Sequence, residues 1–176
     1  MEYFMQTSAQ YWIEKLNLSK HPEGGYYKRT FCSFLTMNTN FASQETDDGK
    51  RASMTAIYYL IDHGNFSAFH RLKSEELWHF YTGDCLSILM LNENGTLETI
   101  ILGNKEKDER AVFQVAIEAN KWFAVGLIDE LDVNAFALVG CTVSPGFDFR
   151  DFELGNRDIL IKRYPQHADM ITKYTR

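Results

Sequence analysis

Basic residues are scarce in this sequence. Its 18 Lys and Arg residues are outnumbered by 24 Asp and Glu residues, which gives a formal net charge of −6. The basic residues are also scattered rather than gathered in one block. Nucleic acids and anionic membrane surfaces attract proteins through clustered Lys and Arg. We therefore expect neither class of partner.

Long apolar runs and a paired set of cysteines are also missing. No apolar run approaches the roughly 20 residues that span a bilayer. The first residues, MEYFMQTS, have neither the basic segment nor the apolar core of a secretory signal. The three cysteines, Cys32, Cys85 and Cys141, are odd in number and widely spaced. We expect a cytoplasmic protein whose cysteines are reduced.

The strand pattern contains no crossover helices. Short apolar runs of strand length, separated by turns, follow one another from residue 54 to residue 143. Strands at this spacing without βαβ alternation predict an antiparallel sandwich or barrel. A chain of 176 residues is long enough to bury the core of one domain. We expect a single domain over residues 1–176, with its core at about 20–155.

The two ends of the chain carry the helical patterns. An amphipathic helix is predicted over 7–18, with Thr7 and Gln10 forming a capping box. Two short helices are predicted near 158–164 and 166–174, on either side of a proline. The polar stretch 36–52 has no periodicity and predicts a long loop, at whose end Arg51 could face an anionic ligand.

The densest set of chemically useful side chains lies between Gly64 and Gly83, in the stretch GNFSAFHRLKSEELWHFYTG. Its alternating, aromatic-rich pattern predicts a hairpin that lines a pocket. Alternation places His70 on the pocket side, and Glu76 opens the next strand facing it. His79 then falls on the opposite face unless a bulge turns it inward.

This spacing resembles the first motif of the cupin superfamily. Gly64, His70, Glu76 and Gly83 stand at the matching positions, while Leu72 replaces the second histidine of the motif. The segment AIEANKWFA resembles the second cupin motif, with Phe123 where a histidine usually stands. Two of the four residues by which metal-binding cupins hold their ion are therefore lacking.

Two further segments, HPEGGYY at 21–27 and GCTVSPGFDFRDFEL at 140–154, resemble one branch of the cupins together with the central stretch. The resemblance covers roughly residues 10–165. It implies an all-β fold, the double-stranded β-helix or jelly-roll barrel, with a short N-terminal helix and short C-terminal helices. It also implies a homodimer and a pocket like that of sugar epimerases.

The resemblance suggests acid–base chemistry without a metal. Sugar-nucleotide epimerases of the superfamily use a histidine to remove a proton next to a carbonyl group and return a proton from a tyrosine. His70 would be the base here, and Glu76 would fix its tautomer and raise its basicity. The candidate acids, among which the sequence does not choose, are Tyr26, Tyr27, Tyr58, Tyr59 and Tyr81.

The ligand-facing residues are predicted from the aromatic content of the motif strands and from the family motif after Gly146. Trp122 is the side chain most strongly expected to face a ligand, and Phe123 should make the pocket drier. The resemblance suggests that Asp148 or Asp151 helps to close the pocket mouth. The predicted ligand-binding set is Tyr58, Trp78, His79, Trp122, Phe123 and Asp148.

Three functions fit these residues. The first is a metal-independent isomerase or epimerase acting on a sugar or another carbonyl compound through His70 and Glu76. The second is a non-catalytic module that binds or senses a small metabolite. The third is a metal-dependent oxygenase or isomerase in which His79 joins His70 and Glu76 as a ligand. We expect no resident cofactor, because His70 and Glu76 alone would hold a metal poorly.

Overall fold

The computed structural model describes residues 8–41 and 47–176. Within them the chain forms mainly β-strands, with one helix at the start and two near the end. The helices are α1 (Ala9–Leu16), α2 (Arg157–Arg163) and α3 (Ala168–Lys173). The strands are β1 (Ser19–Lys20), β2 (Tyr26–Cys32), β3 (Thr36–Asn38), β4 (Lys50–Ala52), β5 (Thr55–Asp62), β6 (Phe66–Leu72), β7 (Glu75–Gly83), β8 (Leu86–Leu91), β9 (Leu97–Leu102), β10 (Gln114–Ile117), β11 (Trp122–Leu127), β12 (Phe136–Ser144) and β13 (Phe152–Leu154).

Two antiparallel sheets enclose the interior. The six-stranded sheet has the order β1-β2-β5-β12-β7-β10, and the five-stranded sheet has the order β13-β6-β11-β8-β9. Alternate residues of the strands face inward, and the main core cluster contains side chains from both sheets, such as Tyr59, Trp78, Phe123 and Val139. The predicted all-β jelly-roll architecture is confirmed.

The central stretch is not the hairpin that its pattern predicts. Strand β6 pairs with β11 and β13, whereas β7 pairs with β12 and β10, so the two strands belong to different sheets. The short link at 73–74 crosses from one sheet to the other instead of folding the chain back. His70 on β6 and Glu76 on β7 consequently stand on opposite walls of the barrel.

The helices cover outer faces of the sheets. Ser8 caps α1 by accepting a hydrogen bond from the Tyr11 N–H, while the predicted cap Thr7 lies outside the described residues. Helix α1 packs on the six-stranded sheet. Helices α2 and α3, close to their predicted positions, bury Leu160 and Ile171 against the five-stranded sheet. None of the described helices is long and apolar enough to cross a membrane.

The stretch predicted as a long loop contains a small hairpin. Strands β3 and β4 pair with Thr36 opposite Ala52, and the preceding strand β2 ends at Cys32. The prediction failed because strands of three residues are too short to show a period. The hairpin also carries Arg51 into the protein, where its guanidinium is buried.

Candidate functional site

His70 is held by its backbone and by aromatic neighbours. The side chain is buried, and its ring centroid lies 4.1 Å from that of Phe123 and 5.5 Å from that of Phe152. The Nδ1 atom lies 2.8 Å from the carbonyl oxygen of Ala68. A carbonyl oxygen can only accept a hydrogen bond, so Nδ1 carries a proton. The other ring nitrogen, Nε2, is the one that faces the site.

The carboxylate beside His70 belongs to Glu23. Its Oε2 atom lies 3.4 Å from His70 Nε2, and its Oε1 atom accepts a hydrogen bond of 3.0 Å from the Ser67 hydroxyl. A contact between a ring nitrogen and a carboxyl oxygen is attractive when one of the two atoms carries a proton. His70 and Glu23 lie within ion-pair range of each other, and both side chains are buried.

The HPEGG turn brings Glu23 to this place. The Glu23 carbonyl oxygen accepts a 2.9 Å hydrogen bond from the Ala68 N–H, which ties the turn to β6 two residues from His70. Gly24 has φ of 121°, and a Cβ atom there would lie 2.0 Å from the Phe66 carbonyl oxygen. Glycine is thus required for the close approach. In the sequence this motif supported only the family resemblance, and Glu23 was given no role. An acidic residue followed by two glycines could have indicated a carboxylate on a tight turn.

His21 completes the same turn. Its Nδ1 atom accepts a 3.3 Å hydrogen bond from the Glu23 N–H, and its ring lies edge-on against Tyr27 at 4.5 Å between centroids. Burial lowers the pKa of His21, with the negative charge of Glu23 acting in the opposite direction. A neutral His21 that accepts at Nδ1 carries its proton on Nε2, and this N–H group can donate to a ligand.

Glu76 is not the partner of His70, contrary to the prediction. The two residues stand on opposite walls, and the carboxylate within ion-pair range of His70 is that of Glu23. Burial, together with the negative charge of Glu23, raises the pKa of Glu76 to about 8. In the described part of the chain, Glu76 Oε2 is buried without a hydrogen-bond partner. The site therefore holds a carboxyl group that is mainly neutral at neutral pH and has one buried oxygen without a hydrogen-bond partner among the described residues.

These four side chains border one small cavity of about 40 Å³. Residues from both sheets and from the segment 147–149 line it. They are His21, Glu23, Tyr27, Arg29, Thr55, Ile57, His70, Leu72, Glu76, Cys141, Val143, Phe147 and Phe149. A larger surface depression of about 670 Å³ lies elsewhere, between the start of α1 and the turns at 82–84 and 132–136. The larger depression is not lined by His21, Glu23, His70 or Glu76. We therefore take the smaller cavity as the candidate site.

His79 points away from this cavity. Its ring nitrogens lie 3.0 Å from Gln114 Nε2 and 3.3 Å from Thr142 Oγ1, on the outer face of the six-stranded sheet. The bulge between β7 and β12 comes after His79, so simple alternation from Glu76 holds. The structure does not bring His70, Glu76 and His79 together. Among the residues it describes, no group of three or more His, Cys, Asp or Glu side chains is arranged to hold a metal ion.

Two predicted ligand-facing aromatic residues also lie outside the barrel. Trp122 is buried beneath α2 with the guanidinium of Arg71 4.7 Å from its ring, and Tyr58 packs edge-on against Tyr81. Trp78 and Phe123 do face inward, where they pack against each other at 6.2 Å between ring centroids. The prediction for Trp122 failed because Phe123 takes the inward position, and neighbours on a strand alternate between faces.

The register of the tyrosines is now resolved. Tyr27 lines the cavity, and Tyr59 is buried with its hydroxyl donating a 2.7 Å hydrogen bond to the Gly24 carbonyl oxygen. Burial raises the pKa of Tyr59 well above its usual value. Tyr58 and Tyr81 lie on the outer face, and Tyr26 packs under α1. Tyr59 therefore secures the HPEGG turn, and Tyr27 is the tyrosine that a ligand would meet.

The charged residues predicted near the mouth are paired with one another. Arg51 donates to Asp151 at 2.5 and 2.9 Å and to Asp47 at 2.8 and 3.0 Å, so its charge is already matched. Asp148 accepts from the Arg150 side chain, and this contact holds the pKa of Asp148 down at about 2. Neither Arg51 nor Asp148 lines the cavity.

Known proteins resemble the chain along nearly its whole length. The solved structure of protein SO0799 from Shewanella oneidensis is 33% identical and superimposes with a TM-score of 0.82, covering 97% of this chain and 99% of that one. A hypothetical protein from Leishmania major is 29% identical with a TM-score of 0.85, covering 96% and 99%. The uncharacterised protein YML079W of Saccharomyces cerevisiae is 28% identical over 150 residues, which are 82% of this chain and 74% of that protein.

A family model described as cupin superfamily (DUF985) matches residues 10–155. The matched region includes the HPEGG turn, both motif strands and the segment that lines the cavity mouth. Together with the two facing sheets, this match confirms the predicted resemblance. The chain belongs to the cupin superfamily, in the family described as DUF985.

Proposed function

We propose that this protein binds a small carbonyl compound in the cavity and moves a proton on it, as an isomerase or epimerase does. The observation that carries the proposal is the presence of two acid–base groups in different environments on opposite walls. One is the His70–Glu23 pair on the side of the five-stranded sheet, and the other is the neutral carboxyl of Glu76 on the six-stranded sheet. Such divergence of environment is typical of paired acid and base catalysts.

The proposed reaction has two proton transfers. The bond between hydrogen and the carbon next to the carbonyl breaks, its proton goes to the His70–Glu23 pair, and its electrons move to the carbonyl oxygen as an enolate. The Nε2–H of His21 can donate to that oxygen. Glu76 then returns a proton to the carbon from the opposite wall. The roles differ from those predicted from sequence, because Glu23 replaces Glu76 beside His70 and Glu76 replaces a tyrosine as the acid.

Exchange of substrate hydrogen with solvent tests the catalytic part of the proposal. The protein is incubated in D₂O with a panel of ketoses, aldoses and keto acids, and loss of each C–H signal is followed by proton NMR. We expect at least one compound to exchange. The exchange rate should be lower by a factor of about 10² or more in His70→Asn and in Glu23→Gln. His79→Asn is the matched control, since this histidine lies outside the barrel, and it should exchange at the wild-type rate.

Two outcomes would overturn the catalytic proposal. One is saturable binding of a compound with no exchange across the panel, which would assign a binding or sensing role. The other is exchange that persists unchanged in His70→Asn. A loss of exchange in His79→Asn, accompanied by loss of bound metal in elemental analysis, would instead support the metal-dependent hypothesis.

We further propose that the protein is a homodimer. Strand β1 pairs with the first two residues of β2, and the rest of that edge has no neighbouring strand in the described residues. Large apolar side chains are exposed at and beyond the end of this edge, including Phe31, Phe34 and Leu35. Open edges and apolar patches favour association. Sedimentation velocity should give a mass near twice that of the chain, and a monomer at micromolar concentration would refute this part.

A further inference from the structure

Arg29 lines the cavity but, unlike several other arginines of the protein, it has no acidic partner among the described residues. It shares the inward-facing side of β2 with Tyr27, two residues earlier, and its cross-strand neighbours are Ile57 on β5, then Cys141 on β12 and Trp78 on β7. Its side chain lines the cavity at the exposed rim. Within residues 8–41 and 47–176, no carboxylate or carbonyl group is within hydrogen-bond range of its guanidinium.

Nearby arginines behave differently. Arg51 is bound by Asp47 and Asp151, Arg71 by Glu153, and Arg150 by Asp47 and Asp148. An arginine without a partner at a cavity mouth offers two parallel N–H donors, the geometry that a carboxylate fits best. The rim therefore carries one positive charge that the described protein leaves unmatched.

The inner end of the same cavity carries a second unmatched group. Glu76 Oε2 is fully buried and has no partner among the described side chains. Three strand spacings separate β2 from β7, about 14 Å between backbones. Both side chains line the same cavity, so a ligand of a few non-hydrogen atoms that fills it can contact both unmatched groups.

We infer that the ligand is a small monocarboxylic acid with a carbonyl or hydroxyl oxygen, a keto or hydroxy acid. Its carboxylate binds Arg29 at the rim, and the end of the molecule that bears the exchanging C–H bond reaches Glu76 at the inner end. This inference names the substrate class of the proposed function and rests on it for the site of reaction. One unmatched arginine balances one negative charge, and the cavity of about 40 Å³ admits a small acid or the reacting end of a larger one.

The apolar wall of the cavity explains why the carboxylate of the ligand would bind at the mouth. Ile57, Leu72, Val143 and Phe147 line the space between the two polar ends. A carboxylate driven into this wall would lose its hydration without gaining a partner, whereas at the rim it keeps some water and gains Arg29. The arrangement orients an acid with its charged end outward and the carbon that loses its proton between His70 and Glu76.

Matched pairs of acid and amide test the inference. Binding of 2-oxobutanoate and 2-oxobutanamide, and of lactate and lactamide, is measured by calorimetry on the full chain. The wild-type protein should prefer each acid by about tenfold or more, as expected for a hydrogen-bonded ion pair. Arg29→Gln should lose this preference. Lys28→Gln, which removes a charge from the outward face of the same strand, should keep it.

Failure of the carboxylate assignment can be distinguished from failure of the proposed catalytic function. Equal binding of acids and amides, no binding of any acid at millimolar concentration, or a preference that survives in Arg29→Gln would each overturn the carboxylate assignment. The catalytic proposal would still stand if neutral carbonyl compounds exchanged their protons in a His70-dependent way. Acid binding that depends on Arg29 without any exchange would support the carboxylate site and reject catalysis.

Discussion

Two clusters of charged residues flank the segment 147–152, and they differ in how completely their groups are paired. In the first, Arg51 is bound by Asp47 and Asp151 on both edges of its guanidinium. In the second, Glu23 touches His70 at 3.4 Å, while Glu76 has a buried oxygen with no hydrogen-bond partner in the described chain. We call these the paired cluster and the open cluster.

The difference separates structural charges from candidate functional ones. Burying a charge is tolerated when hydrogen bonds and opposite charges replace its water, as in the paired cluster. An unsatisfied polar group costs stability and persists where a ligand completes it. The paired cluster therefore holds the β3–β4 hairpin to the barrel, and the open cluster is where we place the ligand. Substitutions in the two clusters should accordingly differ in kind.

The largest effect is expected where the backbone delivers Glu23 to the open cluster. In Gly24→Ala the new Cβ would lie 2.0 Å from the Phe66 carbonyl oxygen, at φ of 121°. Backbone strain and this clash should lower the free energy of unfolding by about 3 kcal/mol or more. Gly64→Ala is the control, because its φ is 77° but nothing lies within 4 Å of the added atom. Urea denaturation should show a clearly smaller loss there, about 1 kcal/mol.

The paired cluster should respond next most strongly. Asp151→Asn removes the charge that faces two nitrogens of a buried guanidinium, leaving Asp47 as the remaining carboxylate on Arg51. We expect a loss of about 2–3 kcal/mol of unfolding free energy. Proton exchange in any responsive carbonyl compound should stay within about twofold of wild type at temperatures where the variant is folded. A stable but inactive Asp151→Asn protein would contradict the division between the clusters.

The contrast also shows how far the sequence could be interpreted. Alternating strands without crossover helices predicted an antiparallel sandwich or barrel, and the resemblance of the spacing from Gly64 to Gly83 to a cupin motif implied the jelly roll. Alternation along the two motif strands also predicted that His70 faces the interior and that His79 lies on the opposite face. Alternation is a local property of one strand, and this explains the success.

Contacts between distant parts of the chain were beyond that reasoning. Glu23 and His70 are 47 positions apart, and their meeting depends on the turn at Gly24 docking on β6. The hairpin interpretation of 64–83 failed for the same reason, because alternation within each strand does not show which sheet the strand joins. Arg51 looked available for a ligand since Asp151 is one hundred positions away.

Glu76→Gln should act in the opposite direction from Asp151→Asn. Below the ordinary pKa of 4.5 the carboxyl is protonated in both the folded and the unfolded chain. Between 4.5 and about 8 the unfolded chain loses this proton while the folded chain keeps it, so wild-type stability falls as the pH rises through this window. Glutamine has no proton to lose in this range, so Glu76→Gln removes this pH-dependent loss of stability. The variant should be progressively stabilised relative to wild type from pH 4.5 to about 8, by up to a few kcal/mol.

Urea titrations of both proteins across that pH window measure the effect. Glu98→Gln on β9 is the control, because it removes an exposed carboxylate and should leave the pH profile of stability unchanged. Parallel profiles for wild type and Glu76→Gln would show that Glu76 is already satisfied in the folded protein. The open cluster would then lose its main distinguishing feature.

The smallest effect is expected for a third kind of charge, one that is paired but exposed. Arg71 and Glu153 approach to 2.6 Å across β6 and β13, yet their side chains keep 34% and 55% of their exposure. Water screens such a pair, and ordering two long side chains offsets much of the attraction. Glu153→Gln should therefore change the free energy of unfolding by about 0.5 kcal/mol or less, although its contact is nearly as short as those of Arg51. If Glu153→Gln instead cost as much as Asp151→Asn, short distance alone would set the energy of these pairs, and the degree of burial would no longer explain why the paired cluster is structural.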